Sequence, residues 1–331
     1  MIREVTVFAP ATVANVASGF DVLGFAIERP GDRVTARRIE APEVRLARVR
    51  GDGGRLPTDP AKNTATVAAR ALMERLGFPF GLEVELEKQM PLSSGLGSSA
   101  ASAVAAAHAA NLLAGEPLGR AELLPFVLEA ERVACGTAHA DNVAPALLGG
   151  FVLIRSYHPL DVVRLPVPPR LAAAVVHPHT EVKTEDARKI LKREIRLSRA
   201  VEQWGNLAGL VASLYQGDLA LLSRCLTDVV AEPLRSLLIP GFASVKAAAL
   251  RSGALGCSIS GSGPSLFALC ESLEAARAVA EAMRTAFREA GLDSDLFVSR
   301  VNEQGPRVVA SGAGLGGGAS GEGGARGGDE P

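Results

Sequence analysis

Pro91-Leu92-Ser93-Ser94-Gly95-Leu96-Gly97-Ser98-Ser99 stands between an alternating segment and a run of alanines that starts at Ala100. Leu82, Val84 and Leu86 interleave with Glu83, Glu85 and Glu87, which predicts a half-exposed strand. The alanine-rich run predicts a helix from about Ser98 to Leu113, stopped by Gly115. Glycines in such a turn reach positive φ and let the backbone approach a ligand. The helix start adds free N–H groups and the positive end of a dipole. A polyphosphate suits that arrangement. The turn lacks the lysine of GxxxxGK[ST] and the spacing of GxGxxG, so neither common nucleotide loop is present. Ser98 and Ser99 are expected to cap the helix, and a capped turn without any ligand is the plainer alternative.

Upstream, Val5 to Ala9 alternates as a strand ended by Pro10, and Arg33 to Arg38 predicts a second strand. Lys62 to Gly77 places Val67, Ala71, Leu72 and Leu76 at helical spacing, with Gly77 as the stop. Downstream, a helix is expected from about Arg120 to Val133 and a strand at Phe151 to Ile154. Pro159, Pro166, Pro168 and Pro169 mark a domain boundary. Beyond it come a strand at Leu171 to His177, helices through Ala187 to Tyr215 and Leu219 to Asp228, a turn at Gly261 and a last strand at Asp295 to Val301. The expected division is 1–158, 159–310 and a disordered glycine-rich tail, 311–331. Strands and helices without a regular βαβ alternation predict α+β layering.

Glu131 falls on the apolar stripe of its helix, three, four and seven residues after Leu128, Val127 and Leu124. A buried carboxylate is unfavourable unless it is paired or bound to a cation, and Mg²⁺ carried on ATP meets that need. The alternative is a helix-end Glu that snorkels to solvent.

The bulk composition narrows the class. At 331 residues the chain is long for one core, so two domains with a ligand cleft between them are expected. The balance of 35 basic and 36 acidic residues leaves too little positive charge for a nucleic-acid partner. Cys135, Cys225, Cys257 and Cys270 have no CxxC spacing, which argues for reduced cytoplasmic thiols rather than zinc or disulfides. The N-terminus has no signal-type apolar region, and Ala100 to Ala114 is broken by Ser102, His108 and Asn111, so no membrane span is expected.

Three segments share a fixed order: Pro10-Ala11-Thr12-Val13-Ala14-Asn15 running to Gly19-Phe20-Asp21-Val22-Leu23-Gly24, the Gly95 loop, and Gly256-Cys257-Ser258-Ile259-Ser260-Gly261-Ser262-Gly263-Pro264. In order and spacing they resemble the GHMP kinase superfamily. The first segment, together with Gly136-Thr137-Ala138-His139-Ala140-Asp141-Asn142-Val143-Ala144-Pro145, is similar to the homoserine kinase family within it.

The resemblance implies a two-domain α+β kinase, a ribosomal S5 domain 2-like N-terminal domain joined to a ferredoxin-like C-terminal domain. It implies ATP and L-homoserine as substrates, Mg²⁺, a role in threonine biosynthesis, and a cytoplasmic homodimer. By resemblance Pro91, Leu92, Ser93, Ser94, Gly95, Leu96, Gly97, Ser98, Ser99, Ala100 and Ala101 wrap the ATP phosphates, with Asn63 near the adenine. Ser98 or Ser99 with Glu131 would hold the metal, and Asn15, Asp21, His139, Asn142, Arg188 and Arg235 the amino acid. Two guanidiniums suit one carboxylate. Asp141, His139 and Thr184 are the implied catalytic residues, with Asp141 orienting the hydroxyl or accepting its proton. Competing readings are a relative acting on mevalonate or a sugar, and a non-catalytic sensor on the same fold.

Overall fold

The computed structural model describes residues 2–136 and 138–313. Its first sheet gathers β1 (Ile2–Ala14), β2 (Leu23–Ile39), β3 (Val44–Arg50), β4 (Gly81–Glu87), β5 (Phe151–Tyr157), β6 (Leu160–Leu165) and β11 (Arg307–Ala313). The order is β11-β1-β2-β4-β3, with β5 joining the Leu23 end of β2 and β6 joining β5. Only the β3–β4 pairing is parallel among these strands. β1 does not stop at Pro10 as expected. Its register shifts between Pro10 and Thr12, and a residue without an N–H is tolerated at such a bulge.

β11 corrects a second expectation, because Val301 is not the end of the ordered chain. Arg307–Ala313 pairs antiparallel with β1, placing Ser311 opposite Val5. The remainder of the expected tail, 314–331, lies outside the described residues. β6 and β11 also carry the first sheet past the expected boundary at 158/159.

Against this sheet pack α1 (Thr64–Arg75), α2 (Ser98–Leu113) and α4 (Ala140–Leu148), while α3 (Leu124–Cys135) packs on these helices. α2 has the expected bounds and is buried on nearly every side, the behaviour of a helix that is apolar all round. Its alanines let α1, α3, α4, β1 and β2 all approach it. The helix expected from Arg120 opens with a short 3-10 turn at Arg120–Leu123, followed by Pro125 in the first turn of α3.

The second sheet is antiparallel, ordered β10 (Ser294–Arg300), β7 (Ala172–Pro178), β9 (Leu266–Cys270), β8 (Gly256–Ile259). α9 (Phe242–Arg251) and α10 (Leu273–Glu289) cover one face, where Ala172, Ala174, Val176, Leu266 and Ala268 point. The opposite residues, Ala173, Val175, Phe267 and Leu269, enter the core of the first sheet, with Phe267 set edge-on to Phe25 at 6.1 Å. Burial on both faces explains why β7 and β9 read as unbroken apolar runs without alternation. Between β7 and β8 in the chain come α5 (Thr184–Lys189), α6 (Leu197–Gln216), α7 (Leu219–Cys225) and the short α8 (Glu232–Arg235). The helices expected through Ala187 to Tyr215 are α5 and α6, separated by an exposed cationic stretch around Lys192 and Arg193, and the one expected at Leu219 to Asp228 ends at Cys225.

Candidate active site

A cavity of about 660 Å³ opens where α2, α3, α4, α5 and the turn at Gly261 converge. The loop into α2 forms one wall of it. The residue at the helix-capping position is Gly97, at φ +66°, not Ser98 or Ser99, and no side chain caps the helix. A Cβ on Gly97 would stand 2.1 Å from Thr12 Oγ1, so only glycine fits there. The N–H groups of the first turn are thus left for a ligand. Leu92, Ser93, Ser94, Gly95, Gly97, Ser98 and Ser99 line the cavity, whereas Leu96, Ala100 and Ala101 are fully buried in the core and Pro91 is not part of the lining.

The third glycine segment closes over this loop. Ser260 Oγ donates to the Gly95 carbonyl at 2.8 Å, and Ser265 N donates to the Ser94 carbonyl at 3.2 Å. Gly95, at φ +78°, lies so near that a Cβ would come within 2.3 Å of the Ser260 carbonyl oxygen.

Glu131 is 2% exposed, as its place on the apolar stripe predicts, and His139 Nδ1 lies 3.9 Å from its Oε2. Glu131 and Ser98 both line the cavity. Among the described residues no hydrogen-bond partner meets the Ser98 hydroxyl, which is buried. An orphaned buried hydroxyl beside a buried carboxylate suits a hard cation with oxygen ligands.

Asp141, in the first turn of α4, is 2% exposed. Burial, and secondarily the charge of Asp21, raises its pKa from 3.8 to about 6, against the pull of His139. Its neighbour Asn142 accepts at Oδ1 from Thr12 Oγ1 at 2.7 Å, which leaves both amide N–H donors for other partners. A raised carboxyl pKa gives stability that is present below the unfolded value near 4 and lost as pH rises through about 6. Above that pH the buried charge costs roughly 3 kcal/mol. Asp141→Asn should therefore melt higher than the parent at pH 8 and no higher at pH 4, while losing activity. Thermal melts at the two pH values check this, and equal stability at pH 8 would refute it.

Near Asp141, Arg188 donates to both Asp21 oxygens, at 3.0 and 2.9 Å. Asn15 Oδ1 accepts from Asp21 N at 3.0 Å, and its Nδ2 donates to the Gly261 carbonyl at 2.8 Å. Asn15, Val16, Ala17 and Asp21 all have positive φ, the kind of backbone strain that persists where surrounding contacts over-determine it. Arg235 is buried, donating to the carbonyls of Ala187 at 3.0 Å and Gly261 at 2.9 Å, so part of its fork already holds α5 and the glycine turn. Thr184 lines the cavity with Oγ1 at 3.4 Å from Ser262 Oγ. Asn63 lines it too, but its amide caps α1 by accepting from Ala65 N at 3.1 Å and donates to the Pro57 carbonyl at 3.1 Å.

Sequence reasoning missed Thr12, Tyr157 and Lys88. Tyr157 donates its hydroxyl to the Asp21 carbonyl at 2.8 Å. Lys88 follows β4, where a charged residue reads as solvated, yet its side chain is 1% exposed and pairs with Asp32. Only the pairing partner's place in the fold could have revealed it.

The chain matches the family described as GHMP kinases N terminal domain over residues 63–150 and the one described as GHMP kinases C terminal over 210–289. Together with the two sheets described above these matches define a two-domain small-molecule kinase, in which the S5-like domain carries the first sheet and the ferredoxin-like domain the second. Homoserine kinase of Chloroherpeton thalassium is 53% identical over 93% of this chain and 100% of its own length. That of Chlorobaculum tepidum is 52% identical, covering 94% and 99%. The crystal structure of homoserine kinase from Cytophaga hutchinsonii superposes with a TM-score of 0.92 at 57% identity, covering 93% of this chain and 98% of that one. The chain belongs to the homoserine kinases of the GHMP superfamily. The L. major mevalonate kinase shares the fold at a TM-score of 0.67 and 18% identity.

Proposed function

We propose that the cavity transfers the γ-phosphoryl group of ATP to the side-chain hydroxyl of L-homoserine, forming O-phospho-L-homoserine for threonine biosynthesis. The observation that carries this reading is the Asp21–Arg188 pair in the cavity wall. Side by side, a carboxylate and a guanidinium match the ammonium and carboxylate of an α-amino acid, which can take the place of each partner for the other. Mevalonate and sugars offer no ammonium to Asp21.

Phosphoryl transfer asks mainly for alignment and for neutral surroundings at the moving phosphoryl oxygens. The uncapped first turn of α2 supplies N–H donors, and the Ser98 hydroxyl with Glu131 would hold Mg²⁺, which neutralises phosphate charge when bound. Asn142 has N–H donors to orient the homoserine hydroxyl, and His139 stands beside Glu131. Asp141, ionised above about pH 6, can accept the hydroxyl proton as the new bond forms. Cytoplasmic location and a homodimer complete the proposal. No helix among the described residues is long and apolar enough to cross a membrane.

A coupled assay for ADP release with homoserine, mevalonate and galactose tests the reading. Homoserine is expected to support turnover and the other two are not. Turnover with mevalonate alone would overturn the substrate, and no ADP release with any of the three would favour a sensor.

A further inference from the structure

Lys88 lies beneath the loop into α2 and forms part of the cavity lining. Its ammonium pairs with Asp32 on β2 and donates to the Ser98 carbonyl at 2.8 Å and to Ser102 Oγ at 2.9 Å. The Ser102 hydroxyl is in turn 2.9 Å from Asp32 Oδ2 and 3.1 Å from the Ser98 carbonyl. Asp32 Oδ1 accepts from Gln89 N at 3.0 Å. All three donors of the ammonium are therefore used, and one of them holds the first peptide of α2 from below.

A buried ion pair is a poor choice for stability alone, since apolar groups of like shape serve as well. This one is joined to a single functional element. The Ser98 carbonyl belongs to the residue whose orphaned hydroxyl faces the candidate metal position, and the uncapped N–H groups start in the same turn.

We propose that Lys88 is a positioning residue for phosphoryl transfer, fastening the first turn of α2 through the Ser98 carbonyl so that the Ser98 hydroxyl and the turn's N–H groups keep a fixed aim. The proposal rests on reading this end of the cavity as the Mg·ATP phosphate site. The tether acts on the ATP side alone, leaving the Asp21–Arg188 end unaffected.

The decisive variant is Asp32→Asn with Lys88→Met. It removes both buried charges together, keeps an acceptor for Gln89 N, and replaces the lysine stem with one of similar volume. It is expected to melt near the parent temperature but to lose at least about tenfold in kcat/KM for ATP, with the KM for homoserine unchanged. That factor corresponds to about 1.4 kcal/mol. Calorimetric binding of Mg·ATP without homoserine should weaken in parallel, and amides of residues 98–101 should exchange faster than those later in α2. Parent-like ATP kinetics and binding in the double variant would show the pair to be structural only, and so would an unfolded double variant. Ser98→Ala separates the proposal from the reading beneath it. Impaired ATP binding in Ser98→Ala but not in the double variant sinks the role of Lys88 alone, whereas normal ATP binding in both sinks the phosphate assignment.

Discussion

Glu131→Gln is expected to fold with an unchanged or slightly higher melting temperature and to turn over at least about a hundredfold more slowly. Metal stabilisation of phosphoryl charge is worth several kcal/mol, and each 1.36 kcal/mol is tenfold in rate. The carboxylate is nearly sealed from water and shares the cavity with the buried Ser98 hydroxyl. A glutamine amide occupies the same space but brings no negative charge to a divalent cation. Its neutrality also relieves the burial of an ion, hence the preserved or raised stability. The measurement is kcat as a function of Mg²⁺ at saturating ATP and homoserine, beside a melt. Wild-type turnover in the folded variant would reduce Glu131 to a structural partner of His139.

The second large effect concerns the amino-acid end. Arg188→Ala and Arg235→Ala should each raise the KM for homoserine while that for ATP hardly moves. Truncating one partner of a hydrogen-bonded charge pair typically costs about 2–5 kcal/mol, or roughly thirty- to several-thousand-fold. The two variants should separate in stability. Arg188 is 34% exposed, donates hydrogen bonds to Asp21 but to no main-chain carbonyl among the described residues, and lies 5.9 Å from the Phe20 ring, so its loss should leave the fold intact and its screened position puts it at the lower end of the range. Arg235 holds two main-chain carbonyls and lies 5.0 Å from the Phe20 ring, so its removal should lower the melting temperature as well. Arg188→Lys should restore only part of the loss, because an ammonium cannot reproduce the fork. Steady-state kinetics with each substrate varied in turn decide the matter. An unchanged homoserine KM in both alanine variants, or a loss confined to ATP, would remove the carboxylate clamp.

Local signals carried much of the architecture. The alanine run fixed both ends of α2, and alternation located β4, because each pattern is complete within its own segment. The helical count that placed Glu131 on an apolar stripe anticipated its burial for the same reason. What stayed hidden depends on distant partners. β11 has two valines among an arginine and small residues and becomes a strand because β1 offers it an edge some three hundred residues away in sequence. Lys88 and Asp32 read as surface charges until the fold joins them. The capping residue was misplaced by one position because serine is the commoner cap, and Gly97 wins where Thr12 leaves no room for a Cβ.

The sheet that is apolar on both faces sets a limit on modularity. β7 and β9 contribute alternate residues to two cores at once, so the C-terminal half has no wet face of its own where it meets the first sheet. β6, inside the proline-rich junction, and β11, encoded after it, complete the N-terminal sheet. A chimera spliced at residue 159 with the second half of a distant relative would expose one apolar wall and misfit another. Recombination should succeed only when the exchanged halves carry matched sheet faces. The two domains are therefore to be engineered as one block.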